Sequence, residues 1–286
     1  MRPVIAVLLL LSCAPAWAQV PLRVVAAETV YGDVAGQLAG PHAAVASILS
    51  DPAQDPHLFE ASPSVARQIA DAAIVVLNGA DYDPWMRRLL AGTARVPARQ
   101  VVDAGALAGR RPGSNPHLWF DPAIMPVVAR ALAAALTQAD AANGPEYDTR
   151  LQAFMASLAP IDARVAELRS RYAGVPVTAT EPVFGLMASA LGLMARNERF
   201  QLAVMNDTEP RPSDVAAFEA DLRQHRVRAL FYNSQASGAA ARRMVALARA
   251  NKIAVVGVAE TKPAELTYQA WMLAQLDALD RALAVP

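Results

Sequence analysis

The stretch Gly144–Tyr172, GPEYDTRLQAFMASLAPIDARVAELRSRY, decides how the rest of the chain is organised. Leu151, Phe154, Leu158, Ile161, Val165 and Leu168 recur along it at helical spacing. Pro160 falls inside that pattern and, having no N–H to give, must kink or interrupt the helix. With Pro122–Leu136 ahead of it, the stretch forms a long helical region in the middle of the chain. Helices of such length are uncommon, and the central position predicts one that spans two halves of the molecule.

Outward from this centre, apolar runs alternate with helix-like segments. Before it, Leu22–Ala27, Ala44–Leu49, Ile74–Leu77 and Gln100–Val102 read as strands, with helices near Tyr31–Leu38, Pro63–Asp71 and Trp85–Ala91. After it, Val175–Ala179, Ala229–Tyr232 and Ile253–Val258 read as strands, and Val183–Leu191, Ser213–His225, Ala239–Ala250 and Thr267–Leu283 as helices. This alternation predicts an α/β protein with two parallel-sheet lobes covered by helices and joined by a long helix. The expected divisions are a leader over 1–18, a first lobe over 19–121, a linking region over 122–173 and a second lobe over 174–286.

The leader reading rests on Met1-Arg2, a short apolar run from Val4 to Leu11, and Ala16-Trp17-Ala18. That is the small-x-small pattern of a signal peptidase site, so cleavage is expected after Ala18. The apolar run is too short for a membrane span of about 20 residues. Leu10-Leu11-Ser12-Cys13 offers a rival, lipid attachment at Cys13, but Leu11 fits that pattern poorly and export into the periplasm is favoured. Cys13 is the only cysteine, so the mature chain has none. It is held by its core, and any metal site must use N and O ligands. The chain has 26 basic and 26 acidic residues. Removing Arg2 leaves 25 against 26, a balance with no electrostatic footprint for nucleic acid.

Two motifs stand out. Asn115-Pro116-His117-Leu118-Trp119-Phe120-Asp121 is echoed by Asp55-Pro56-His57-Leu58-Phe59-Glu60. With 21 prolines and four histidines in 286 residues, about 0.3 Pro-His pairs are expected by chance. There are three. The third, Pro41-His42, lacks the acid and the aromatic and reads as turn chemistry before a strand. Proline stiffens the backbone on either side of it, and the Leu and aromatic anchor the corner, so His57 and His117 are presented with little freedom. A metal ligand needs such presentation. The plain alternative is a pair of half-buried histidines with ordinary partners.

His225, between Arg223 and Arg226, reads as a surface residue, so further ligands must be carboxylates. In open α/β sheets, ligands bind beyond the carboxyl ends of strands. Glu181 and Glu260 each follow a strand there, and each is expected near a helix start. The alternatives are a helix-start carboxylate for Glu181 and a loop carboxylate paired to Lys262 for Glu260. Asn233-Ser234-Gln235 also falls at a strand end, where it lines the cleft or holds ligands from behind.

With these residues the chain resembles the metal-binding solute-binding proteins of bacterial ABC transporters, the cluster A-I group that takes up zinc or manganese. Asp55-Pro56-His57 with Phe59-Glu60 resembles the group's first ligand motif, and Asn115-Pro116-His117-Leu118-Trp119 its second. The helix after the second corresponds to the group's rigid joining helix. Glu181-Pro182-Val183-Phe184-Gly185 and Val258-Ala259-Glu260-Thr261 are similar to the segments with the third and fourth ligands. The resemblance implies a metal set of His57, His117, Glu181 and Glu260, no catalytic activity, a divalent cation as transported ligand and a monomeric binding protein. The implied partner is a permease in the inner membrane. Two departures matter: zinc members typically carry a third His where Glu181 stands, and the fourth position is usually Asp. Two imidazoles and two carboxylates neutralise a divalent cation. Protons compete for such donors, so affinity is expected to fall steeply from about pH 7.5 to about pH 5. The rival function is an exported metal-dependent hydrolase with Glu60 or Glu209 as base, although no His-Glu-x-x-His helix supports it.

Overall fold

Val24–Ala27 and Ile74–Leu77 are unbroken apolar runs, and both are buried on two faces, as the central strands of a parallel sheet require. The computed structural model describes residues 22–53, 56–93, 99–111, 113–235 and 238–284, and of His57 it describes the backbone alone. The expected leader, its cut after Ala18 and the alternative at Cys13 lie outside the described residues.

In the first half, β1 (Leu22–Glu28), α1 (Thr29–Ala39), β2 (Ala43–Leu49), α2 (Pro63–Ala70), β3 (Ile74–Leu77), α3 (Pro84–Gly92), β4 (Gln100–Asp103), α4 (Ala104–Leu107) and α5 (Ile124–Ala139) follow in order. Its strands pair in parallel in the order β2-β1-β3-β4. Then come α6 (Gly144–Ser157) and α7 (Ala159–Tyr172). The second half is β5 (Pro176–Ala179), α8 (Gly185–Ala190), β6 (Met194–Arg196), α9 (Glu198–Met205), α10 (Pro212–Arg223), β7 (Ala229–Asn233), α11 (Ala239–Ala250), β8 (Ala254–Val258) and α12 (Tyr268–Ala284). Its sheet, also parallel, repeats the first in the order β6-β5-β7-β8. This is the expected α/β architecture with two parallel sheets.

Several helix starts follow from local chemistry. Ser62 accepts a hydrogen bond from the Val65 N–H at 3.4 Å ahead of Pro63, and Asp103 accepts from the Ala106 N–H at 2.9 Å. Pro160 acts as expected. It sits in the first turn of α7, and Leu158 serves at once as the end of α6 and the start of α7.

Three elements lie outside the sequence expectation, and one of them is the single turn α4. β6 is a three-residue edge strand with Met194 half exposed, so it carries no alternation to read. α9 opens on Asn197 in the left-handed region, φ 62°. The linking region has two parts. The helix after the second motif, α5, packs on α1, α6 and β4 within the first half, and α6–α7 makes the connection, with α7 lying along α12.

A single hydrophobic core runs from β1 to α12 and includes residues of both sheets. Its central seam is aromatic. Phe120 meets Phe184 at 5.1 Å and Trp271 at 5.4 Å, and Phe184 stacks on Phe231 at 5.2 Å. All four rings are buried. Tyr268 adds a bond from its hydroxyl to the Trp119 carbonyl at 3.2 Å. A smaller cluster around Phe200, Phe218 and Met244 fills the outer side of the second sheet.

Candidate metal centre

The second motif forms a stiff corner. After Pro116 the chain makes a single turn over Leu118–Phe120, with Leu118, Trp119 and Phe120 all fully buried. His117 is buried too. Its ring Nδ1 lies 2.8 Å from Asn115 Oδ1, which also accepts the His117 backbone N–H at 3.0 Å. Asn115 Nδ2 donates to the Pro182 carbonyl at 2.7 Å, which fixes the amide's orientation. Because Asn115 Oδ1 can only accept, Nδ1 must carry the proton in the neutral ring, and Nε2 is left with its lone pair. Nε2 points at Glu260 Oε2, 3.2 Å away.

Glu260 and Glu181 come from strand ends of the second sheet, and both are buried. β7 lies between β5 and β8, so its last residue, Asn233, stands between the two acids. Asn233 Nδ2 donates to Glu181 Oε2 at 3.1 Å and to Glu260 Oε1 at 2.5 Å. Asn233 Oδ1 accepts the Gln235 N–H at 3.0 Å. Gln235 Oε1 in turn accepts the Glu260 and Thr261 N–H groups at 2.6 and 3.0 Å. The expected helix starts beside the acids do not form: α8 begins at Gly185 and α12 at Tyr268. Side-chain amides take the place of helix ends. Lys262 turns its ammonium to the carbonyls of Pro263 and Leu266.

Tyr82 is a site residue that no sequence motif marks. Its hydroxyl donates to Glu260 Oε2 at 2.8 Å across the lobes, and its ring meets His117 edge-on at 5.8 Å and Trp119 at 5.0 Å. Burial first, then the Glu260 charge, pushes its phenol well above the usual range, so it stays a donor. Tyr82 follows three residues with positive φ, Gly79 (68°), Ala80 (49°) and Asp81 (65°). The two non-glycine positions are strained. A Cβ on Gly79 would stand 2.3 Å from Asp103 Oδ1, so any other residue at this positive φ would have to push Asp103 off the Ala106 N–H. Asp83 holds this turn by accepting the Asn78 and Gly79 N–H groups at 2.7 and 2.9 Å. The readable trace of the arrangement was Asn78-Gly79 directly after a strand.

Behind the turn, Glu28 at the end of β1 is buried against Asp83. Neither Glu28 oxygen receives a well-formed hydrogen bond from a donor among the described residues. Burial, then the Asp83 charge, raises Glu28 well above the usual carboxylate range, and burial raises Asp83 to about 6. A proton on Glu28 donated to Asp83 satisfies both groups.

The structure therefore brings His117, Glu181 and Glu260 to one place. The His57 side chain lies outside the described residues, and its backbone sits in a single turn, Pro56–Leu58, beyond β2. Among the described residues no group of three or more His, Cys, Asp or Glu makes a metal site by itself. His42 ends a turn before β2 as expected, and it adds a contact to Glu146 at 2.7 Å. His225 is exposed, as are Glu60 and Glu209, the bases a hydrolase would have used.

Residues 24–282 match the model of the ZnuA family, described as the periplasmic component A of a zinc-uptake complex. The chain belongs to this family. Among curated relatives, the iron-binding protein YfeA of Yersinia pestis is 24% identical over 226 residues, covering 75% of this chain and 70% of YfeA. The manganese-binding lipoprotein MntA of Halalkalibacterium halodurans is 26% identical over 144 residues, 49% of this chain and 47% of MntA. Among solved structures, the periplasmic zinc-binding protein TroA of Treponema pallidum superposes with a TM-score of 0.76 at 19% identity. That match covers 92% of this chain and 99% of TroA, and it shows the two-lobed fold. ZnuA-family proteins are extracytoplasmic metal-binding components of ABC transporters and not enzymes. The hydrolase alternative has no support.

Proposed function

We propose that the chain captures one zinc or manganese ion between its lobes, with His57 and His117 from residues 19–121 and Glu181 and Glu260 from residues 174–286 as ligands. Residues 122–173 hold the two halves together. The loaded protein, a monomer exported on a leader cut after Ala18, delivers the ion to an inner-membrane permease. Lipid attachment at Cys13 is the less favoured form of export.

The observation that carries this reading is the approach of His117 Nε2 to Glu260 Oε2 at 3.2 Å, with Asn233 joining Glu260 to Glu181. An imidazole with its other nitrogen fixed, aimed at buried acids, is a donor set that a divalent cation satisfies. Two carboxylates offset the charge of the ion, so its burial is tolerable. The aromatic seam supports release by small local movements.

Elemental analysis of protein purified from its native periplasm without added metal tests the proposal. One zinc or manganese per chain is expected, and zinc or manganese at about 1,000 times its dissociation constant should add about 4 kcal/mol of stability. Glu181→Gln, Glu260→Gln and His57→Ala should each weaken that effect. Protein that carries no metal and shows no thermal shift with either ion overturns the reading.

A further inference from the structure

Glu260 is anchored from both lobes. Asn233 Nδ2 holds Oε1 from its own lobe, and the Tyr82 hydroxyl donates to Oε2 from the other at 2.8 Å. A glutamate carboxylate turns on one more side-chain torsion than an aspartate, and its last torsion is soft, so a single anchor leaves it free to swing. A bond to each oxygen removes that freedom. It does not spend the acid as a ligand, because an oxygen that accepts one hydrogen bond keeps a lone pair for a cation. His117 Nε2 faces the same Oε2 at 3.2 Å. Tyr82 has little freedom of its own. Its buried ring lies edge-on against His117 and Trp119, and its N–H is held by the Gly79 carbonyl at 3.0 Å. It leaves a turn strained at Ala80 and Asp81, and strain of this kind persists where the surroundings fix it. The Thr29 hydroxyl crosses beside it, donating to the Lys262 carbonyl at 3.1 Å, so the segment after β8 is tied to the first lobe at two points.

We infer that Tyr82 is a positioning residue of the metal centre: from the first lobe, its hydroxyl holds the Glu260 carboxylate of the second at the bearing that faces His117. The inference rests on the ligand set proposed above. Tyr82 acts through Glu260 and is not itself a ligand. Its contribution is to set one acid in place before the cation arrives, so that binding does not have to order that side chain. The bond favours neither metal, because it fixes where the carboxylate stands and leaves its donor atoms unchanged.

The test measures zinc and manganese dissociation constants by competition with a chelator of known affinity. Tyr82→Phe keeps the ring and removes only the hydroxyl, and it should weaken both metals about tenfold, as the loss of a ligand's hydrogen-bond partner does. Glu260→Asp draws the carboxylate back by one methylene, out of the hydroxyl's reach. In that background Tyr82→Phe should cost less than about twofold, because the interaction it removes is already gone. Equal losses in the two backgrounds would place the hydroxyl in the fold rather than the site and overturn the inference. Tyr82→Phe that binds both metals as tightly as wild type would overturn it too. A crystal structure of zinc-loaded wild type decides the point without any variant. The Tyr82 hydroxyl should stay bonded to Glu260 with the ion in place, and a hydroxyl turned away would overturn the inference. Wild type that binds neither metal, or Glu260→Ala that binds both as wild type does, would instead sink the ligand set itself.

Discussion

The two lobes share one strand order, and each buries a pair of acids at the carboxyl ends of its strands, yet the pairs differ. In the first, Glu28 and Asp83 meet directly, and burial raises both acids. In the second, Glu181 and Glu260 are separated by the Asn233 amide, which donates to each. Two touching acids in a dry place take up a proton, whereas in the second lobe each acid accepts a hydrogen bond from the amide between them. The first pair braces a turn, the second is the pair proposed above as cation ligands, and the Asn233 amide is the visible difference between them.

The largest expected effect comes from cutting the seam that keeps the two pairs in one body. Phe120→Ala should cost about 3–5 kcal/mol in urea unfolding, because a fully buried ring is lost from between Phe184 and Trp271. A loss below about 1 kcal/mol would mean that the lobes stand independently.

The proton pair is tested by pH. Asp83, raised to about 6, binds a proton in the folded chain that the unfolded chain releases at lower pH. Its stabilising contribution is therefore full below about pH 4 and is lost as pH rises through about 6, a swing of about 3 kcal/mol. Glu28, raised by burial and then by the Asp83 charge, adds its own fall in stability at higher pH, and Glu28→Gln removes that acid while leaving Asp83 buried, so stability should fall less towards pH 8. An unchanged slope would show that no proton is shared.

Asn115 sharpens the contrast with Asn233. It fixes an imidazole rather than a carboxylate, so Asn115→Ala should weaken zinc and manganese binding alike, by about 10–100-fold in titration calorimetry. Unchanged affinity for both metals would show that the amide does not orient the ring. The smallest effect belongs to an exposed helix start. Ser62→Ala removes a helix cap and should cost about 1 kcal/mol with no change in cation binding.

Much of this was legible in the chain. Continuous apolar strands and amphipathic helices state their period directly, and Pro-His-Leu-aromatic marks a buried corner at His117, whereas after His57 the Leu58 side chain is 68% exposed and anchors nothing. The acids at residues 181 and 260 were reachable because strand ends are where such folds present ligands. What escaped were contacts made by side chains from distant segments. Nothing local to Tyr82 says that its hydroxyl crosses to Glu260, 178 residues away. Nothing local to Glu28 says that it meets Asp83. β6 escaped for a different reason, being too short to show a period.

Asn115 has one hand on the His117 ring and the other on the Pro182 carbonyl, which belongs to the opposite lobe. Any parting of the lobes at that point lets go of the amide, and the imidazole loses its compass at the same moment. With His117 as the ligand proposed above, opening a way out and relaxing the grip would be one movement.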